Sequence, residues 1–161
     1  MVNKEQAVID FLINCPAIKN SPFYFNFINA QDDNKQLIIQ GNDKATHTPY
    51  IDGSVLKQYT FTIIDFKSVA YNAIPKQLGL VDENVEEYLD VQGIIDWIVE
   101  QNDIQNYPDF GEHCHIDLME CTTDNPNLNS VDTSTTPSLA KYSVAIRITY
   151  LDSTKTIWNT K

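Results

Sequence analysis

Near the end of the chain, Tyr142, Val144, Ile146, Ile148 and Tyr150 alternate with Lys141, Ser143, Ala145, Arg147 and Thr149. Strand side chains point to opposite faces with a period of two. This run can bury its apolar half only in an antiparallel sheet covered on one side and open on the other. Gln58 to Phe66 carries a second stretch of β-branched and aromatic alternation. Cys114, Ile116 and Leu118 alternate on a third. Phe23, Phe25 and Phe27 give a fourth, and after the turn residues Gln31-Asp32-Asp33-Asn34 the run Leu37-Ile38-Ile39 is expected to pair back as a hairpin.

Two stretches carry helical spacing instead. Asn3 can cap a helix, with Gln6 answering it from the third position and Ala7, Val8, Phe11 and Leu12 following, which predicts a helix over 4–14. Cys15-Pro16 ends it, because the residue before proline is pushed out of the α region. Asn84 with Glu87 offers another capping box. Val85, Tyr88, Val91, Ile95, Ile98 and Val99 recur at spacings of three and four, predicting a helix over 84–102. At 100° per residue, Trp97 falls with Asp90 and Glu86 on the side opposite Val85, Tyr88, Ile95 and Val99, with Ile94 as its neighbour. An aromatic there serves either a second packing layer or a protein interface, where Trp is enriched as an anchor.

The predicted order is helix, two strands, strand, helix, strand, strand. It packs as a single α+β domain over 1–161: an antiparallel β-sheet with two α-helices on one face and long polar loops. Those loops, Gly41–Ser54 with its breakers Pro49 and Gly53 and Asp124–Ser138, exceed what compact domains usually hold without a reason.

Charge narrows the function. The 161 residues hold 11 Lys and Arg against 22 Asp and Glu, and 14 of those acids fall between Gln77 and Ala140, where no Lys or Arg occurs. Such a block repels phosphate backbones, because no counterion release is available to it, so direct nucleic-acid binding is not expected. It reads as a solvated acidic surface, as a face turned to a polyanion that must not stick, or as a dock for a basic partner. Apolar runs of four or five residues are far short of the roughly 20 needed to cross a bilayer. The N-terminal sequence has no apolar h-region, which does not predict export by that route. Cys15, Cys114 and Cys121 are an odd number without zinc-type pairing and suit a reducing compartment.

Chemistry-bearing residues are sparse. His113, His115 and Asp117 would share a strand face, but a zinc site normally draws a distant ligand too, and the remaining histidine, His47, lies in a loop. His47-Thr48-Pro49-Tyr50-Ile51-Asp52-Gly53 is similar to the His-x-x-x-Asp-Gly motif of chloramphenicol-type acyltransferases, one residue too long and in a much shorter chain. There is no nucleophile elbow, phosphate-cradling loop or Cys-His signature. No catalytic, metal-binding or cofactor-binding residue is assigned and no cofactor is expected.

A broader resemblance covers nearly the whole chain. The capped first helix, the stretch from Tyr50 to Ile63, the helix from Asn84 to Asn102, Asp124-Asn125-Pro126 and the closing run from Ala140 to Ile146 resemble small neck and tail-completion proteins of tailed phages and prophages of Gram-positive bacteria, most of all the tail terminators. The resemblance implies a non-enzymatic virion protein, assembled in the host cytoplasm, that forms a homo-oligomeric, hexameric ring. The ring would cap the tail tube, stop its polymerisation and meet the head connector or head-closure protein, with genomic DNA passing through without specific binding and no membrane involved. A head-closure adaptor one layer higher is the alternative within this class, and a small acyltransferase using His47 is the alternative outside it. A ring of this kind needs contacts that reach the next subunit. The expected interface residues are Tyr50 and Asp52 in the first polar loop, Asn125, Asn127, Asn129 and Asp132 in the second, and Trp97 and Ile94 on the helix. Some of the acids between Asp82 and Asp132 are expected to line the channel.

Overall fold

The computed structural model describes residues 3–18, 23–26, 35–46, 49–69, 83–133 and 138–156. In chain order they form α1 (Lys4–Leu12), β1 (Phe23–Phe25), β2 (Lys35–Ala45), β3 (Val55–Val69), α2 (Glu83–Asp103), β4 (Cys114–Cys121), β5 (Asn127–Asp132) and β6 (Ser138–Asp152). The class is α+β. The sheet runs β1-β2-β3-β6-β4, with β5 also on β6. β4 pairs with Ile146–Asp152 and β5 with Leu139–Ser143, so the two share one lane along the same edge of β6.

β6 lies inside the sheet and follows the expected alternation: Tyr142, Val144, Ile146, Ile148 and Tyr150 are all buried. On β3, Tyr59, Phe61 and Ile63 join them on the face covered by the helices. Fully burying one such side chain contributes about 1.5–3 kcal/mol, so the covered face dictates the register. Val8, Phe11 and Leu12 of α1 and Val91, Ile94, Ile95 and Ile98 of α2 complete one contiguous core.

α1 starts as expected, with the Asn3 side-chain oxygen accepting the Gln6 N–H at 3.1 Å. Gln6 Nε2 donates in turn to Asp10, one turn further on, at 2.7 Å. The helix also stops at Leu12 rather than 14. Asn14 Nδ2 donates to the carbonyls of Asp10 and Phe11, taking up acceptors that one more turn would have used. α2 begins at Glu83, which puts Asn84 inside its first turn rather than at its cap.

Three strand expectations need correction. β1 pairs with β2 in parallel, Phe23 opposite Gln36 and Phe25 opposite Ile38, not as a hairpin. An alternating pattern fixes which side chains share a face and is the same read in either direction. Next, the first half of the polar stretch Gly41–Ser54 is strand: β2 continues through a bulge between Gln40 and Asp43 to Ala45. A Cβ on Gly41 would lie 2.4 Å from Thr60 Oγ1, so this close approach requires glycine, and Asn42 N–H bonds that same hydroxyl at 2.9 Å. Finally, residues 127–132 of the second polar stretch are β5, paired with the core strand β6.

Polar groups anchor the layers. Asp43 on β2 accepts from Tyr150 Oη at 2.5 Å and from Lys4 Nζ at 2.9 Å, tying the start of α1 to the sheet. At the same end of β6, Lys57 Nζ meets Asp152 at 2.7 Å. Burial raises the Asp152 pKa, but the Lys57 and Thr154 hydrogen bonds outweigh it and hold the carboxyl at about 2, against an ordinary 3.8. A depressed folded-state pKa adds stability that is present above the unfolded value and is lost as pH falls through the folded one. Between pH 4 and pH 2 the protein is therefore expected to lose, from this pair, about 1 kcal/mol after allowance for solvent screening. Lys57→Met should show that loss already at pH 7 and a flatter acid limb; urea midpoints at several pH values measure it.

Candidate interaction surfaces

The outward side of α2 carries the exposed acids Asp96, Glu100 and Asp103, and Asp90 stands at its edge, where its carboxylate holds Lys67. Cations sit elsewhere. Lys44, Lys141 and Arg147 project from the sheet face away from the helices, because each is out of phase with the buried positions of its strand or that strand's partner. Arg147 Nε donates to Glu120 at 2.8 Å, and the Lys141 ammonium lies 5.7 Å from the Phe66 ring centroid. The outward side of α2 is thus negative, while on the other face Glu120 and Asp132 stand among the cations and Arg147 is paired with Glu120.

The buried stripe of α2 is rotated from the expected one. Ile94 is fully buried and Val99 is 52% exposed. Ile94 therefore belongs to the core and is not an interface residue. The reason is α1, which lies along that side and brings Phe11 to 4.9 Å from Trp97, ring centroid to centroid. Trp97 is half-buried as a second packing layer. Its remaining surface joins Pro16, Ala17, Leu89, Gly93 and the acids Asp90, Asp96 and Glu100 around an open cleft of about 420 Å³.

The other expected interface residues fall in two places. Tyr50 and Asp52 sit at the β2–β3 turn. Tyr50 N–H bonds the Ser54 carbonyl at 2.8 Å, Gly53 N–H bonds the Tyr50 carbonyl at 2.9 Å, and Asp52 Oδ1 accepts from Ser54 Oγ at 2.7 Å and Ser54 N–H at 2.9 Å. Those Ser54 bonds lower the Asp52 pKa. Gly53 has φ +89°, and a Cβ there would come within 2.7 Å of the Lys155 carbonyl. The tip is thus braced, and it presents Tyr50 half-exposed and Ile51 fully exposed. Ile51 was not among the expected residues; an isoleucine between Pro49 and Gly53 was its only signal. Asn125, Asn127 and Asn129 are exposed and Asp132 is half-buried on or beside β5, at the opposite end of β6 from that tip. Asn129 accepts from Ser143 Oγ at 3.1 Å, and Leu128 and Val131 stand exposed beside it.

The histidine cluster is not assembled. His113 precedes β4 and faces Glu112 at 3.3 Å, whereas exposed His115 faces Asp117 at 3.5 Å. A bulge between Ile116 and Leu118 breaks the alternation, leaving Leu118, expected inward, exposed, and putting Met119 in the core. Among the described residues no group of three or more His, Cys, Asp or Glu could hold a metal ion. Burial raises the thiol pKa of Cys15 and Cys114 and pushes Cys121 up to about 12, so these cysteines hold little thiolate at neutral pH. His47 lies outside the described residues. No described helix is long and apolar enough to cross a membrane. A scan of protein-family models and a search of curated proteins each found no match to the chain.

Proposed function

We propose that this chain is a structural subunit, the tail terminator of a tailed phage or prophage, that closes into a ring on the end of the tail tube, stops tube growth and meets the head connector. The observation that carries this reading is the separation of charge. Exposed Asp96, Glu100 and Asp103 mark one layer, and no lysine or arginine interrupts the sequence from Gln77 to Ala140. With the part of that layer left free by subunit contacts turned to the ring's lumen, a passing duplex meets fixed negative charge and finds no free cation whose binding would release its counterions. DNA then slides without adhering. The open sheet face, with Lys44, Lys141 and Arg147, is turned away from the channel.

The protein in this role works by shape and association, and needs no bond-making group. Adding the purified chain to polymerising tail tube protein tests it. Tubes should stop lengthening, with the added protein at one end of each; tubes that elongate as though nothing had been added would contradict it.

A further inference from the structure

The braced tip and the cleft on α2 are both apolar features without a cover among the described residues, and they lie on different parts of the surface. Ile51 is fully exposed, and an aliphatic side chain held in water on a rigid turn gains from any apolar seat offered to it. The cleft offers one. Leu89 is 57% exposed, Trp97 supplies an aromatic wall, and Gly93 leaves the floor without a side chain. Open to solvent and about 420 Å³ in volume, it is larger than an isoleucine side chain.

Charge selects the occupant. The rim carries the carboxylates of Asp96 and Glu100, and that of Asp90, which Lys67 already holds. Beside the tip, Lys155 is exposed, its backbone held against Gly53, while the Asp52 carboxylate turns back onto Ser54. A second copy of this chain thus carries both the apolar knob and the complementary cation. A knob seated in a neighbour's cleft without the reciprocal contact is heterologous, the kind that propagates around a ring.

We propose that the Tyr50–Ile51 tip of one copy seats in the Leu89–Trp97 cleft of the next, with Lys155 facing Asp96 and Glu100. This contact rests on the ring reading above and supplies its subunit joint. Loss of a buried apolar anchor at an interface weakens association at least about thirtyfold.

Two measurements test it. Ile51→Glu should lower self-association by that factor in light scattering, with an unchanged thermal melt, since Ile51 makes no core contact. Separately, an Ile51→Cys chain and a tagged Leu89→Cys chain, mixed under mild oxidation, should give a mixed disulfide dimer that neither gives alone. Rings that persist in Ile51→Glu overturn the contact and leave the ring reading standing. Cross-linking of Ile51→Cys with itself, as fast as in the mixture, overturns it in favour of a two-fold contact. A wild-type chain that stays monomeric at every concentration and forms no mixed dimer overturns both. A mixed dimer from a protein that associates only in pairs keeps the contact and sinks the ring.

Discussion

Replacing Lys67 with methionine is expected to destabilise the fold by about 3–5 kcal/mol. The Lys67 side chain is 4% exposed on the helix-covered face of β3, and its ammonium touches Asp90 and lies 3.8 Å from both Asp65 and Glu87. Burial alone would lower the Lys67 pKa, yet the three carboxylates outweigh it and raise the value above its usual 10.5. A raised folded-state pKa means that this stability is fully present below the unfolded value and is lost only as pH rises through the folded one, so it is intact at neutral pH. Methionine keeps the stem's packing and removes the charge. Asp65, 1% exposed, then stays in the core without the ammonium beside it. Its protonation becomes the way to relieve that cost, so the variant's deficit should shrink as pH falls. Changing Asp65→Leu together with Lys67→Met should recover most of the loss, because an apolar pair needs no compensation. Urea denaturation at pH 7 and pH 5 checks both points; a Lys67→Met deficit below about 1 kcal/mol at pH 7 would show that the cluster contributes little.

Truncating Ile94 to alanine is the second. Ile94 is fully buried between α2 and the side where α1 lies, within the same core as Ile98, Phe11 and Leu12. Removing its outer carbons leaves a cavity that a sheet and two helices cannot close, at about 2–5 kcal/mol. The loss should appear in the stability of the isolated chain, independent of protein concentration. An interface residue would behave otherwise, leaving the monomer's melt unchanged and altering association alone. Thermal unfolding at two concentrations a hundredfold apart separates the two outcomes.

Ile94 marks where the sequence stops informing. Periodicity gave the central strands β3 and β6 and the long helix α2 closely, because each buries one continuous face and repeats its pattern many times. The same periodicity could not fix the rotation of α2's buried stripe, which depends on α1 lying beside it and widening the covered arc to include Ile94 and half of Trp97. β5 and the end of β2 were hidden for a different reason. Asn127, Asn129 and Ser130 on β5, and Asn42 and Asp43 on β2, are poor strand formers, held in place by backbone pairing with β6 and β3 rather than by their own preference. The β4 bulge is a backbone irregularity that swaps Leu118 for Met119 in the core without any break in the residue pattern. Of the expected interface residues, Tyr50, Asp52 and the asparagines fall where exposed surface exists. Ile51, the most exposed apolar side chain among the described residues, leaves no such mark in the sequence, because exposure is a property of the turn's geometry and not of composition.

Electron microscopy of the purified protein together with tail tube protein tests the central claim most directly. The account expects rings with a central hole wide enough for duplex DNA, seated at one end of tubes that have stopped growing. A chain that stays strictly monomeric beside freely elongating tubes would contradict it.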